Sequence, residues 1–341
     1  MLRKAKKRVF VGDNTTIKWT HEGVRYCLHI RADECPESPR EWSNLAKMAC
    51  WHRHYNLGDK IEEQEPEVFW RHLVRDYVSN EEVVEAILAG KLGGIRLARN
   101  EENPDLFDLY ETYYIRTVIG RSEPSESLER EGIKESDVLY WVEDDLTIGH
   151  CQTLLEPYIE WMPLWLYDHS GITISCGART YPYNDRWDSG QVGWIIADKE
   201  TIIKEVRDYE LDENGERIRV ETVHSDGKVS WHFKTKMLTD ETWRARAVEI
   251  MEGEVEVYDQ YLRGEVYGYN LYRLGDAGDD EDEEFDENDA EEADSCWGFF
   301  GDDLLENGIP DQVGCGLQEA LESGEYEEGQ AVLHSRSYYT F

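Results

Sequence analysis

The stretch at residues 162–198 constrains the fold more than any other part of the chain, because it holds the densest cluster of apolar, aromatic and glycine residues. Residues 164–167 predict a strand, and residues 172–176 predict a returning strand. Between them, Asp-His-Ser-Gly favours a tight turn, since Asp and Ser side chains bond the local backbone and glycine permits positive φ. Residues 191–197 predict a third strand, so we expect a β-rich core here.

Amphipathic helices are predicted to pack on this sheet. Residues 66–77 space apolar side chains at three and four residues behind a proline, residues 81–89 follow a Ser-Asn cap, and residues 240–263 carry one long apolar stripe. Residues 138–142 predict a further strand, and residues 302–306 the start of a further helix. The predicted fold class is α+β, with a mainly antiparallel sheet core and a few packed amphipathic helices.

Shifts in composition indicate how the chain is divided. Residues 1–8 predict a basic flexible tail, and residues 9–120 an N-terminal α+β part. The polar stretch at 121–136 is interpreted as an insertion, either a surface loop or a boundary. Residues 137–341 are expected to form a C-terminal α+β part that contains the core hairpin and a flexible acidic loop at 276–294.

The formal net charge is −38, from 74 acidic and 36 basic residues. Three interpretations stay open. The charge can reflect a highly solvated surface with an acidic linker, adaptation to high salt, or mimicry of nucleic acid by ordered carboxylates. A field this negative repels nucleic acid, so the charge argues against direct DNA or RNA binding and favours a basic protein partner.

The hydropathy and the N-terminal residues predict an intracellular protein, and the cysteine pattern is interpreted in that setting. The seven cysteines are odd in number and include no Cys-x-x-Cys pair, which favours free buried thiols over disulfides or a zinc ribbon. No apolar run approaches the roughly 20 residues that span a bilayer. The basic N-terminus lacks the apolar region of a signal peptide, so we expect the cytoplasm of a host cell and no membrane contact.

Asp168, His169 and Asp188, near the core hairpin, are the candidates for catalysis. Asp168, His169 and Ser170 suggest a triad by composition, but sequence neighbours point in different directions and cannot build its geometry. Asp188 precedes the third predicted strand and could line a pocket with Asp168 and His169. The alternative is structural, in which the first three residues form a turn and Trp187 packs on the core.

A metal site and a cofactor site have weaker signals. His52 and His54 could chelate from one face of a strand with Asp59, but a real site needs further ligands. The glycines at 190 and 193 precede a strand, whereas a phosphate-binding loop follows one, so no nucleotide or other cofactor is predicted.

The acidic run at 276–294 is predicted to be a flexible insertion between two paired strands, because like charges repel and the run contains one aromatic residue. It lacks the spacing of a calcium-binding loop. Its consecutive carboxylates are candidates for binding a partner: Asp279, Asp280, Glu281, Asp282, Glu283 and Glu284.

Several segments in this order resemble a group of small proteins of bacteriophages and mobile elements. The resemblance rests on LWLYDHSGITIS at 164–175, WDSGQVGWI at 187–195, YDQYLRGEVYGY at 258–269 and SCWGFFG at 295–301, with ESPREWSNL and HYNLGD upstream. It implies an accessory gene of a phage or plasmid and transfers no catalytic role.

The leading hypothesis is a non-enzymatic accessory protein that binds a host protein. An anti-defence role against restriction or CRISPR machinery fits, with acidic residues opposing the basic cleft of a nucleic-acid-processing enzyme. One alternative is a metal-dependent hydrolase with Asp168, His169 and Asp188 in one pocket. Another is a salt-adapted protein whose acidity only maintains solubility.

Overall fold

A computed structural model describes residues 8–116, 122–177, 187–223, 229–276 and 291–330. Helices and antiparallel sheets alternate along these residues, so the α+β prediction is confirmed. The helices are α1 Pro66–Tyr77, α2 Asn80–Leu88, α3 Val138–Val142, α4 Ile148–Leu155, α5 Lys199–Glu205, α6 Trp243–Leu262, α7 Ile309–Val313 and α8 Leu317–Ser323. The candidate binding residues Asp279, Asp280, Glu281, Asp282, Glu283 and Glu284 lie outside the described residues.

The strands pair antiparallel throughout the described residues. They are β1 Thr15–His21, β2 Val24–Ala32, β3 Ala46–Cys50, β4 Ile95–Arg99, β5 Leu106–Arg116, β6 Ser122–Lys134, β7 Ile159–Asp168, β8 Ile172–Cys176, β9 Ser189–Asp198, β10 Arg207–Tyr209, β11 Arg219–Val223, β12 Val229–Phe233, β13 Thr235–Met237, β14 Val266–Asp276, β15 Glu291–Phe300 and β16 Glu327–Gln330.

A four-stranded sheet in the order β3–β9–β7–β8 lies at the centre of the molecule. The predicted hairpin is confirmed as β7 and β8, in which Leu166 faces Ile174, and the predicted third strand is β9. Gly193 allows β9 to approach β3, because a Cβ at this position would lie 1.9 Å from the carbonyl oxygen of Ala49. The two inner strands of this sheet, β9 and β7, come mainly from the apolar and aromatic stretch at residues 162–198.

Hydrophobic cores cover both faces of this sheet. Alternate residues of a strand point to opposite faces, so Ala49 and Ile196 enter the core formed with α1 to α4 and the β4–β5–β6 sheet. Met48 and Ile195 enter the core formed with α5 and α6. The helices predicted at 66–77, 81–89 and 240–263 are α1, α2 and α6, so these three predictions are confirmed.

A five-stranded sheet in the order β15–β14–β2–β1–β16 encloses a third core with α7 and α8. The strands on either side of the acidic run pair as predicted, with Gly268 opposite Trp297. Close contact between these strands needs a glycine, because a Cβ at Gly268 would lie 2.1 Å from the Trp297 ring.

Three local predictions are wrong. Most of the predicted surface loop at 121–136 is β6, an outer strand whose polar residues suit an edge that faces solvent. The predicted strand at 138–142 is α3, which buries Val138 and Val142 four residues apart on one side. The helix predicted to begin at 302–306 instead begins at Ile309. In the segment before it, the Asp303 side chain accepts the backbone N–H groups of Val9 and Leu305.

The segment at 207–237, here called the arm, contains β10 to β13 and has no buried side chain among its described residues. The chain enters the core again on either side of it, at Val206 and at Leu238. Among the described helices, none combines the length and apolar character needed to cross a membrane.

Candidate functional site

One end of the central sheet brings together residues that lie far apart in the sequence. Because β9 runs antiparallel to both β7 and β3, it begins where those two strands end. The backbone N–H of Asp168 donates to the carbonyl oxygen of Asp188 at 2.7 Å. The N–H of Trp51 donates to the carbonyl oxygen of Val192, also at 2.7 Å. The chain after β3 is therefore held beside the β7–β8 turn.

Two of the three candidate catalytic residues contact each other directly. His169 Nδ1 lies 3.0 Å from Asp188 Oδ2, and the two side chains are 63% and 38% exposed. When Nδ1 carries the proton and donates it to the carboxylate, Nε2 is left as a base that can accept a proton. The geometry is that of an oriented histidine base at the surface.

Ser170 does not complete a triad with this pair. It lies in the turn with a positive φ of 61°, and within the described residues its hydroxyl forms no hydrogen bond with His169. The N–H of His169 donates to the carbonyl oxygen of Gly171 at 3.1 Å, which closes the turn. The structural interpretation of Asp-His-Ser as turn chemistry agrees with this geometry. The expectation that Trp187 packs on the core is wrong, because its side chain is 95% exposed.

The third candidate, Asp168, faces the loop that follows β3. A hydrogen bond from the Tyr55 hydroxyl to Asp168 raises the pKa of Tyr55, and burial adds to the shift. The His52 ring stacks on the Tyr55 ring with 5.0 Å between centroids. We call His52, Tyr55, Asp168, His169 and Asp188 the sheet-end cluster. Sequence reasoning missed Tyr55 as a site residue, although Tyr55 lies in the HYNLGD segment of the resemblance.

His52 is held as a neutral imidazole. Its Nδ1 accepts the backbone N–H groups of His54 at 3.4 Å and Tyr55 at 3.2 Å, so the ring proton lies on Nε2. Burial lowers the pKa of His52, and the neighbouring His54 lowers it further, while Asp168 acts in the opposite direction. The cluster therefore contains two histidines in different environments, of which only His169 contacts a carboxylate through a ring nitrogen.

The metal candidates His52, His54 and Asp59 do not form a three-ligand group. The strand that was expected to align the histidines ends at Cys50, before both of them. Asp59 instead accepts hydrogen bonds from Arg40 and from the backbone N–H of Met48. Within the described ranges, no group of three His, Cys, Asp or Glu side chains is placed to hold a metal ion.

The partner of Asp59 belongs to a second polar cluster, at the other end of β3. Arg40 donates to both carboxylate oxygens of Asp59 at 2.8 and 2.7 Å, to Glu254 at 2.8 Å and to the carbonyl oxygen of Ala46 at 2.8 Å. Its side chain is only 4% exposed. Burial lowers the pKa of Arg40, but the hydrogen bonds to Asp59 and Glu254 outweigh it, so the pKa is raised.

This Arg40 cluster is structural. Glu254 also accepts the backbone N–H groups of Leu45 and Ala46, which joins α6 to the start of β3. An open groove of about 640 Å³ passes the cluster, with Trp42 and Lys60 on its wall. Since Arg40 already makes four hydrogen bonds, it has little capacity left to bind a ligand there.

The cysteines described here are free thiols. Cys27 and Cys151 are buried, as expected, whereas Cys35 is exposed. Burial raises the pKa of Cys151 to about 12, which keeps it as an unreactive thiol at neutral pH.

The chain matches no protein-family model, no curated protein and no solved structure.

Proposed function

We propose that this chain is an acidic accessory protein of a phage or other mobile element that acts by binding a host protein. The observation that carries the proposal is the placement of its carboxylates on outer strands. Exposed carboxylates lie on β6, β15 and β16, each of which is the edge of its sheet. They are Glu126, Glu129, Glu131, Glu291, Glu292, Asp294, Glu327 and Glu328.

The longest uninterrupted part of this surface is near the end of the described chain. Helix α8, strand β16 and the residues between them expose five carboxylates, and residues 317–330 contain no Lys or Arg. We call this surface the C-terminal acidic strip. It consists of Glu319, Glu322, Glu325, Glu327 and Glu328.

Such a strip suits a protein partner with a basic cleft. Exposed carboxylates on a rigid sheet edge attract a positive surface and need no rearrangement on binding. A basic patch is the electrostatic footprint of a protein that binds DNA or RNA, so a restriction or CRISPR nuclease of the host fits. Nucleic acid binds the same basic cleft through its phosphates, so it competes with this chain for the cleft.

The test is inhibition of DNA cleavage by a purified restriction endonuclease and by a purified CRISPR nuclease at low salt. We expect inhibition that weakens as salt rises, because screening reduces the attraction between exposed charges. A variant with five Glu→Gln changes in the C-terminal acidic strip should inhibit less. The control changes five exposed glutamates elsewhere to Gln: Glu37, Glu41, Glu62, Glu101 and Glu102.

If the two variants with five substitutions inhibit equally, the C-terminal acidic strip is not the binding surface and only a general charge effect remains. If neither nuclease is inhibited and affinity purification at low salt retains no basic partner, the proposal is wrong.

Salt adaptation is a different explanation for the same negative charge. Thermal unfolding at several salt concentrations distinguishes salt adaptation from binding to a basic partner. A salt-adapted chain unfolds at low salt, because its carboxylates repel one another without screening. The binding proposal requires a folded chain under those conditions.

Hydrolysis at the sheet-end cluster is a second candidate function. It is favoured by the contact between His169 and Asp188, an oriented base 3.0 Å from a carboxylate, with Asp168 nearby. Water or a substrate hydroxyl would lose a proton to Nε2 of His169. The variants His169→Ala and Asp188→Asn should each abolish turnover of a hydrolysed substrate while the thermal midpoint stays unchanged. A loss of stability without loss of turnover would assign the pair to the fold.

A further inference from the structure

The arm carries a one-sided surface of aromatic, aliphatic and arginine side chains. Residues opposite each other in an antiparallel pair share a face, so Arg219 lies beside Phe233 and Glu221 beside Trp231. The Arg219 guanidinium lies over the Trp231 ring, 4.8 Å from its centroid. The large apolar side chains exposed on the arm are Tyr209, Leu211, Val229, Trp231, Phe233 and Met237.

The other face of the arm is mostly polar, although it includes Ile218 and Val220. Lys234 contacts Glu210 at 2.7 Å, and Thr222 lies 3.3 Å from His232. The arm is therefore amphipathic, yet its described side chains enter none of the three cores. A two-stranded ribbon without a packed face is marginally stable in water, because it buries too little apolar surface to offset its lost conformational entropy. Further strands would stabilise the ribbon, since three or more strands with an apolar face can be stable where two are not.

The outer edge of β11 is available for such an extension. Among the described strands, β11 pairs only with β12. An unpaired strand edge presents backbone N–H and C=O groups that can pair with another chain. Three of the other outer strands, β6, β15 and β16, differ from β11 because they carry several exposed carboxylates that repel a second copy.

The charges on β11 alternate in sign and complement themselves. In an antiparallel pair of two β11 strands centred on Val220, each Arg219 lies opposite the partner's Glu221. Ile218 then lies opposite the partner's Thr222, so β-branched side chains meet on the polar face. Opposite charges directly across a strand pair stabilise it, and like charges destabilise it.

We propose that two copies of this chain associate through their arms, with β11 pairing antiparallel to β11 of the second copy around Val220. The product is a four-stranded sheet, β12–β11–β11–β12, that crosses a twofold axis and joins two aromatic faces. A twofold axis requires each contact to occur twice, which the two Arg219–Glu221 pairs satisfy. The arm has six basic and seven acidic residues, so pairing two arms avoids most of the repulsion expected from a chain of charge −38.

The test is sedimentation of the full chain at physiological salt over a range of concentrations. The 39.9 kDa chain should form a species of twice that mass as concentration rises. Arg219→Glu places two carboxylates opposite each other twice in the dimer, and Glu221→Arg does the same with two guanidinium groups. Each single variant should weaken association at least about tenfold, since two cross-strand pairs change from attraction to repulsion.

Two further samples make the test specific. The double variant Arg219→Glu/Glu221→Arg restores opposite charges and should dimerise again. An equimolar mixture of the two single variants should form a mixed dimer, because every cross-strand pair in it is then complementary. The control is Glu213→Arg, a change in an exposed turn residue of the arm that alters net charge as Glu221→Arg does, and it should leave association unchanged.

A wild-type chain that stays monomeric at every concentration would overturn the proposal. So would a dimer that the two single variants leave intact, which would place the contact elsewhere, for example on the outer edge of β12. Failure of the double variant and of the mixture to recover association would contradict the antiparallel register around Val220.

Discussion

The two ends of β3 carry two polar clusters. The clusters differ in burial and in how many of their polar atoms form hydrogen bonds. At the first end, Arg40 is 4% exposed and makes four hydrogen bonds, to Asp59, Glu254 and Ala46. At the second end, His169 and Asp188 are 63% and 38% exposed and share one contact. A saturated, buried cluster stabilises a fold. An exposed pair whose remaining side-chain nitrogen and oxygen atoms form no hydrogen bond within the described residues is available to a ligand.

The substitution Arg40→Ala should have the largest effect of those considered for this comparison. It leaves Asp59 and Glu254 close together and partly buried without their cation, and removing one partner of a buried pair costs about 3–5 kcal/mol. We expect a loss of that size in the free energy of unfolding, measured by chemical denaturation.

The matched control is Arg53→Ala at the other end of β3, where the side chain is exposed. A surface change of this kind stays within about 0.5 kcal/mol. If the two variants lose similar free energy, the distinction between the ends of β3 fails.

The substitution Glu254→Gln tests the same cluster with a smaller change. Glu254 accepts from Arg40 on one oxygen and from the N–H groups of Leu45 and Ala46 on the other. An amide NH₂ must face one of these donors, so one hydrogen bond is lost in a partly buried site, at a cost of about 1–3 kcal/mol. Glu256→Gln, an exposed residue on the same helix, should change the free energy of unfolding little.

The two clusters also differ in how far the sequence could predict them. The β7–β8 hairpin was predictable because alternation and turn residues are local signals. Asp168, His169 and Asp188 were singled out for the same reason, and the β7–β9 pairing then brings His169 and Asp188 together. Arg40 was missed because its acidic partners lie 19 and 214 residues away in the chain.

Two errors in secondary structure have equally physical causes. The five-residue apolar run at 138–142 is too short for its periodicity to separate helix from strand. Its role in a helix depends on packing against α2, where Asn80 accepts the backbone N–H of Leu139. β6 was read as a loop because its polar residues resemble a solvated segment, but its backbone pairs with β5 at the edge of a sheet.

The pH dependence of stability should reveal His52, the partly buried histidine of the sheet-end cluster. Burial lowers the pKa of His52 in the folded chain, so the unfolded chain binds more protons as pH falls below the usual histidine value near 6.5. The stability that His52 contributes is therefore present above that value and is lost as pH falls through the folded pKa. Thermal unfolding between pH 7 and pH 5 should show this loss in the wild type.

His52→Phe keeps a ring to stack on Tyr55 and removes the titration, so its midpoint should fall less than that of the wild type over the same range. An unchanged slope would mean that another group causes the pH dependence.

His169→Ala should have the smallest effect on stability, within about 0.5 kcal/mol, because the side chain is exposed and its loss leaves no buried polar atom. The turn does not depend on it, since backbone bonds from Asp168 to Asp188 and from His169 to Gly171 remain. Chemical denaturation of His169→Ala beside Arg40→Ala measures both ends of β3 in one experiment. A loss above about 1 kcal/mol for His169→Ala would show that the pair with Asp188 holds the fold as the Arg40 cluster does. A near-zero change would show that the His169 imidazole has no role in stability. Its orientation by the Asp188 carboxylate would then be best explained by a contact with a partner or substrate.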